Sequence, residues 1–125
     1  MAVYRISNPT ALATTLVFDS NADASNDADG DNVTAATSGS IYMIQVDNRG
    51  NSTAVYLKIA DASSATPGST VPDMVFYAPA SRSATYTLPV GHAYTAGVSI
   101  WCTTTLSNTS SQSDPEAEVE VRIMA

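Results

Sequence analysis

Four residue types that carry most protein chemistry occur once each in this chain: Cys102, His92, Lys58 and Trp101. A lone cysteine excludes an intramolecular disulfide framework and any multi-cysteine metal site. A lone histidine means that every Ser-His-Asp or Cys-His mechanism would have to run through His92. That residue lies in Pro89-Val90-Gly91-His92-Ala93-Tyr94, read here as a turn leading into the next strand, and no Gly-x-Ser-x-Gly elbow occurs. Three Glu and two Gln leave little for long helices. Basic residues are also few, 5 against 12 acidic ones, for a formal net charge of -7 and a pI near 4.2. Such a chain offers no footprint for nucleic-acid phosphates. No apolar run approaches the ~18 residues of a membrane-spanning helix. Met1-Ala2-Val3-Tyr4-Arg5-Ile6 lacks the basic-then-apolar pattern of a signal peptide, so the expectation is a protein made in the cytoplasm.

What is abundant is Ala (19), Ser (16) and Thr (15), in a chain of 125 residues with 6 Gly and 6 Pro. That composition favours short strands and many turns, and the length favours one domain over residues 1–125. The expected class is all-β: an antiparallel two-sheet sandwich, jelly-roll-like, of about eight strands.

Alternation at period two places the strands. Over Glu116–Ile123 it puts Glu116, Glu118, Glu120 and Arg122 on one face and Ala117, Val119, Val121 and Ile123 on the other. This is the pattern of a strand with one dry and one wet side, so the glutamates read as a solvated face. Ile41–Asp47 and Thr53–Ala60 read as a hairpin through Asn48-Arg49-Gly50-Asn51-Ser52, and Met74–Ala78 with Ser83–Leu88 as a second pair. Val98–Thr104 sets Val98, Ile100 and Cys102 on one face and Ser99, Trp101 and Thr103 on the other, which makes Cys102 a small buried hydrophobe. Ala2–Ile6 and Leu12–Phe18 complete the set.

Loops are expected at Ser20–Ser40, Ser63–Val71 and Leu106–Pro115. The first is long and acidic. Its Asp27-Ala28-Asp29-Gly30-Asp31-Asn32 resembles the start of a calcium loop, where hard cations take six to eight oxygens. If Gly30 holds the sixth place, however, the first ligand is Ser25 and the twelfth is Ala36, where a bidentate Glu is needed. A solvated acidic turn is therefore expected, with Asp27, Asp29 and Asp31, helped by Asp23, as the residues a weaker calcium cage would use. No metal or cofactor is expected.

Six tyrosines and Trp101 outnumber the two Phe. Tyrosine suits positions with one dry and one wet end, at subunit interfaces as at sugar-binding surfaces. Trp101, Tyr4, Tyr42 and Tyr94 are the interface candidates, and Trp101, opposite the apolar set of its strand, leads them.

The middle of the chain carries a resemblance. Ile44-Gln45-Val46-Asp47-Asn48, Asn51, Ala54-Val55-Tyr56-Leu57-Lys58-Ile59-Ala60-Asp61, Pro72-Asp73, Leu88-Pro89-Val90-Gly91 and Ala96-Gly97-Val98-Ser99-Ile100-Trp101-Cys102-Thr103-Thr104 follow one another between Ile41 and Thr105. This order resembles small β-sandwich virion proteins of tailed bacteriophages, of the capsid decoration (cement) type. The resemblance implies a β-sandwich structural protein of a phage particle, such as a capsid decoration protein; the strand-forming ends, the long polar loop and the excess of tyrosine over phenylalanine add the expectation of a non-enzymatic homotrimer on the outer capsid surface, bound to the major capsid protein. Net charge -7 agrees with an outer rather than a genome-facing position. Two alternatives stay open: a tail or head–tail component (adaptor, stopper, tube or fibre part), and a carbohydrate- or receptor-binding sandwich with Trp101 stacking on sugar.

Overall fold

The computed structural model describes strands 3–7, 15–19 and 31–32 by their backbone, and residues 38–108 and 113–125 in full. The elements are β1 (Val3–Ser7), β2 (Thr15–Asp19), β3 (Asp31–Asn32), β4 (Gly39–Asp47), β5 (Val55–Asp61), β6 (Met74–Ala78), β7 (Ser83–Tyr94), β8 (Val98–Thr103) and β9 (Glu120–Met124). Among the described residues there is no helix. The strands form two antiparallel sheets, in the orders β1-β2-β9-β4-β7 and β3-β8-β5-β6.

Alternation decides what each strand buries. Ile44, Val46, Val121 and Ile123 of the first sheet meet Val55, Leu57, Val98, Ile100 and Cys102 of the second in one cluster, each at most 1% exposed. Each fully buried Val, Leu or Ile contributes ~1.5–3 kcal/mol, so this shared cluster holds the two sheets face to face in a sandwich-like arrangement.

The pairings nest. Leu16 lies opposite Met124, Asp31 opposite Ile100, Ile44 opposite Tyr86 and Leu57 opposite Phe76. The chain is thus one long antiparallel ribbon folded back on itself about the segment 62–73. A second set of pairings, β4 with β9 and β5 with β8, joins the turns of the rolled ribbon into sheets.

This topology overturns both expected hairpins. β4 and β5 lie in different sheets, as do β6 and β7. Even the four residues 79–82 reach ~13 Å when extended, enough to cross the ~10 Å between packed sheets. Asparagines build the first crossing. Asn48, fully buried, donates from Nδ2 to the carbonyls of Thr53 (2.9 Å) and Pro79 (3.0 Å). The carbonyl of Asn51 accepts from the amide of Ser81 (2.8 Å), which sits at φ 59°.

Other boundaries move for local reasons. β9 starts at Glu120, not Glu116, because the Asn51 side chain takes both backbone groups of Ala117: Oδ1 accepts its N–H (2.7 Å) and Nδ2 donates to its carbonyl (3.1 Å). β7 runs on to Tyr94 through the segment read as a turn. Leu88–Gly91 bulges opposite Tyr42, between the pairs Ile41–His92 and Met43–Thr87. Gly91 sits at φ +81°, and a Cβ there would stand 2.8 Å from the Tyr42 ring, so both the backbone and the contact require glycine. The short strand β3 falls inside what the sequence presents as one long loop.

Candidate functional surfaces

The outer face of β5 and β8 is a second buried layer. Trp101 is fully buried there beside Ala60, Ala62 and Ala65. Its register partner Lys58 is fully buried as well, and Nζ donates to the Ser107 carbonyl at 2.9 Å. Burial pulls the Lys58 ammonium below its ordinary range. Two straps make this cover. Ser99 Oγ donates to the Ala62 carbonyl (2.8 Å), and Asn108 Nδ2 donates to the Thr70 carbonyl (3.0 Å), so 62–70 and 104–108 are tied over the sheet and to each other. Trp101 is therefore not a contact platform in the isolated chain, contrary to expectation. Its indole N–H finds no partner among the described residues.

The other interface candidates separate. Tyr94 is 6% exposed and belongs to the core, where burial first and the Asp61 carboxylate second push its hydroxyl up; it too is corrected from surface to core. Tyr42 is half-buried against the β7 bulge. Tyr4 stands opposite Phe18 in the β1–β2 ladder. Asp27 and Asp29 lie outside the described residues, and Asp31 is placed in β3, opposite Ile100. The suspected calcium loop is thus not brought together by any described geometry. His92 is half-buried at the rim of a crevice of about 10 Å³ shared with Asp61, Asp73 and Tyr94, room for a single water. Cys102 is fully buried in the main core.

Two carboxylates do structural work that the sequence did not announce. Asp61, at the end of β5, accepts the backbone N–H groups of Ala96 (2.7 Å) and Thr95 (2.9 Å) and so caps the β7–β8 turn. These bonds, that from Ala96 foremost, hold its carboxyl below the ordinary range. Asp73 closes the ribbon tip by accepting the N–H of Asp61 at 2.6 Å. A group with a depressed folded pKa contributes stability above its unfolded value of about 3.8 and loses it as pH falls through the folded value. Melting temperature is therefore expected to drop on acidification below that value, and Asp61→Asn should show a flatter acid limb. Identical acid limbs in thermal scans of the two proteins would remove Asp61 from this role.

Asp47 ends β4 at the other end of the molecule. Arg49 binds it with Nε to Oδ1 (2.9 Å) and Nη2 to Oδ2 (2.6 Å), a fork that lowers the carboxyl pKa. Together with Gly50, Glu118 and Glu120 the pair lines an open cleft of about 440 Å³. The Arg49 side chain stays 72% exposed while that of Asp47 is 10% exposed, so the cleft shows the guanidinium and the two glutamates to water. Spacing i, i+2 across a turn was the only sequence signal for this fork.

Apolar side chains also reach solvent. Val90, at the tip of the β7 bulge, is 94% exposed; Val71, Leu106, Tyr77 and Val75 are exposed as well. The Tyr86 hydroxyl donates to the carbonyl of Tyr77, and its ring packs on Phe76 with centroids 5.0 Å apart. The side of the molecule where β6 and β7 form the sheet edges is thereby partly closed.

Set against models of known families, against curated proteins and against solved structures, the chain matches none.

Proposed function

We propose that this chain is a non-enzymatic structural component of a tailed-bacteriophage particle, a jelly-roll decoration protein that braces the capsid as a homotrimer bound to the major capsid protein. The observation that carries the reading is the nested ribbon. Four concentric antiparallel pairs (β2 with β9, β3 with β8, β4 with β7, β5 with β6), rolled so that β9 meets β4 and β8 meets β5, are the connectivity of two Greek keys in a double sheet. That architecture recurs in viral shell proteins, lectins and cupins, and the step from fold to function is an analogy. The sequence resemblance between Ile41 and Thr105 selects the virion among these. The sugar-binding alternative loses its anchor, since Trp101 has no exposed ring to stack on.

The test is particle-level. Particles stripped of the protein should burst at lower temperature or milder osmotic shock than intact ones, and adding the purified chain back should restore resistance. Imaging should place the protein over the outer shell in many copies. Equal robustness of stripped particles, or a position on the tail, would replace decoration by the tail or head–tail reading.

A further inference from the structure

The strap 104–108 covers the outer face of β5 and β8 without placing a large apolar side chain in the cover. Its one such residue, Leu106, is 62% exposed, and Ser107 is exposed as well. The strap 62–70, by contrast, packs Ala62 and Ala65 against Trp101. Among the described residues, hydrogen bonds are what tie 104–108 down. Lys58 Nζ donates to the Ser107 carbonyl (2.9 Å), Thr103 Oγ1 to the Thr105 carbonyl (2.7 Å) and Asn108 Nδ2 to the Thr70 carbonyl (3.0 Å). At the base of the loop the Thr104 N–H donates to the Ser113 carbonyl (2.9 Å). Bonds of this kind are exchanged for bonds to water at a small net cost.

Closure also has costs, and they collect at this one place. Of the four buried side-chain polar atoms with no partner among the described residues, three are Trp101 Nε1, Thr105 Oγ1 and Asn108 Oδ1. Beside them the Lys58 ammonium is fully buried, and burial disfavours its charged form. Unpaired buried polar atoms favour any state in which water reaches them. The main core, meanwhile, does not depend on the strap. Val55, Leu57, Ile100 and Cys102 lie on the opposite face of β5 and β8, against the other sheet. Opening the strap leaves that core whole.

We propose that 104–108 is a lid that opens by local unfolding while the sandwich stays folded, which makes Lys58 a gated amine. Lys58 is the only lysine of the chain, so the open state presents a single ε-amine beside the indole of Trp101. The proposal stands whether or not the protein belongs to a virion, and its test uses the purified chain alone.

Two side chains one register step apart report the two kinds of opening. Cys102, the only cysteine, follows Trp101 on β8 but faces the main core, so a thiol reagent reaches it by global unfolding. The native chain is treated with an acetylating ester or with a maleimide, and modification of Lys58 and Cys102 is followed by peptide mass mapping. Each rate is divided by the rate in the urea-unfolded chain. Lys58 should be about a hundredfold less protected than Cys102. Its rate should change little in low urea, where that of Cys102 climbs, because local opening exposes little surface. Ile123→Val weakens the main core and should speed Cys102 by about three- to tenfold while leaving Lys58 unchanged. Equal protection, with both rates rising together in urea, would overturn the proposal; the wild-type urea slopes decide this even if Ile123→Val fails to fold. A Lys58 as reactive in the native chain as in the unfolded one would overturn it as well, since no lid would then close.

Discussion

Truncating Trp101 to alanine is expected to cost the isolated chain about 3–5 kcal/mol, the range for deleting a fully buried large aromatic. Against a total stability of ~5–15 kcal/mol, this brings the protein close to unfolding at room temperature. The melting temperature should fall by about 10–25 °C. The cost has two sources. Contacts with Ala60, Ala62 and Ala65 are lost, and the cavity lies under straps tied down by a few hydrogen bonds, among them Ser99 to Ala62, Asn108 to Thr70 and Lys58 to Ser107. Trp101→Phe should recover part of the loss, because the indole N–H has no described partner to forfeit. Urea titration is the measurement, with the midpoint moving at constant slope. A shift worth less than ~1 kcal/mol, with self-association or particle binding abolished, would return Trp101 to the role of a contact residue.

The second large effect is expected at Asn51, a polar residue only 2% exposed. Its side chain makes both bonds to Ala117, so Asn51→Ala removes two part-buried hydrogen bonds that tie the exposed Ala117 to the first crossing. With Ala117 open to water, each lost bond is worth ~0.5–1.5 kcal/mol, which puts the variant about 1–3 kcal/mol below wild type. Asn51→Asp keeps the acceptor for the Ala117 N–H but loses the donor to its carbonyl, so an intermediate loss is expected. Hydrogen exchange adds a local readout: the Ala117 amide should lose protection in Asn51→Ala before the core amides of β8 do. Equal stability of Asn51→Ala and wild type in urea would show that this clamp is dispensable.

How far the sequence reaches can be judged at particular residues. Val119, Val121 and Ile123 were legible as inward, and Glu120 and Arg122 as outward, because alternation is a local property of the extended chain. Cys102 was legible as core for the same reason. The partner of each strand was not legible. Ile41–Asp47 and Thr53–Ala60 alternate just as a hairpin would, and a short asparagine- and glycine-bearing link serves a crossing between sheets equally well. Trp101 shows the same limit for a side chain. Its parity correctly separated it from the inner core, but parity carries no information about a loop closing over the outer face.

The sequence by itself determined roughly where the core strands run, though not β3 or the ends of β7 and β9, together with the faces of those strands and the acidic balance, since these follow from residues within a few positions of one another or from simple counting. Tertiary structure alone decided the nested pairing, the burial of Lys58, Trp101 and Tyr94, and the clamps by Asn51 and Asp61. These depend on contacts between residues far apart in the chain, from Leu57 with Phe76 through Asp61 with Thr95 and Asn51 with Ala117 to Leu16 with Met124. They form only when the ribbon has rolled up and its loops have found the sheet.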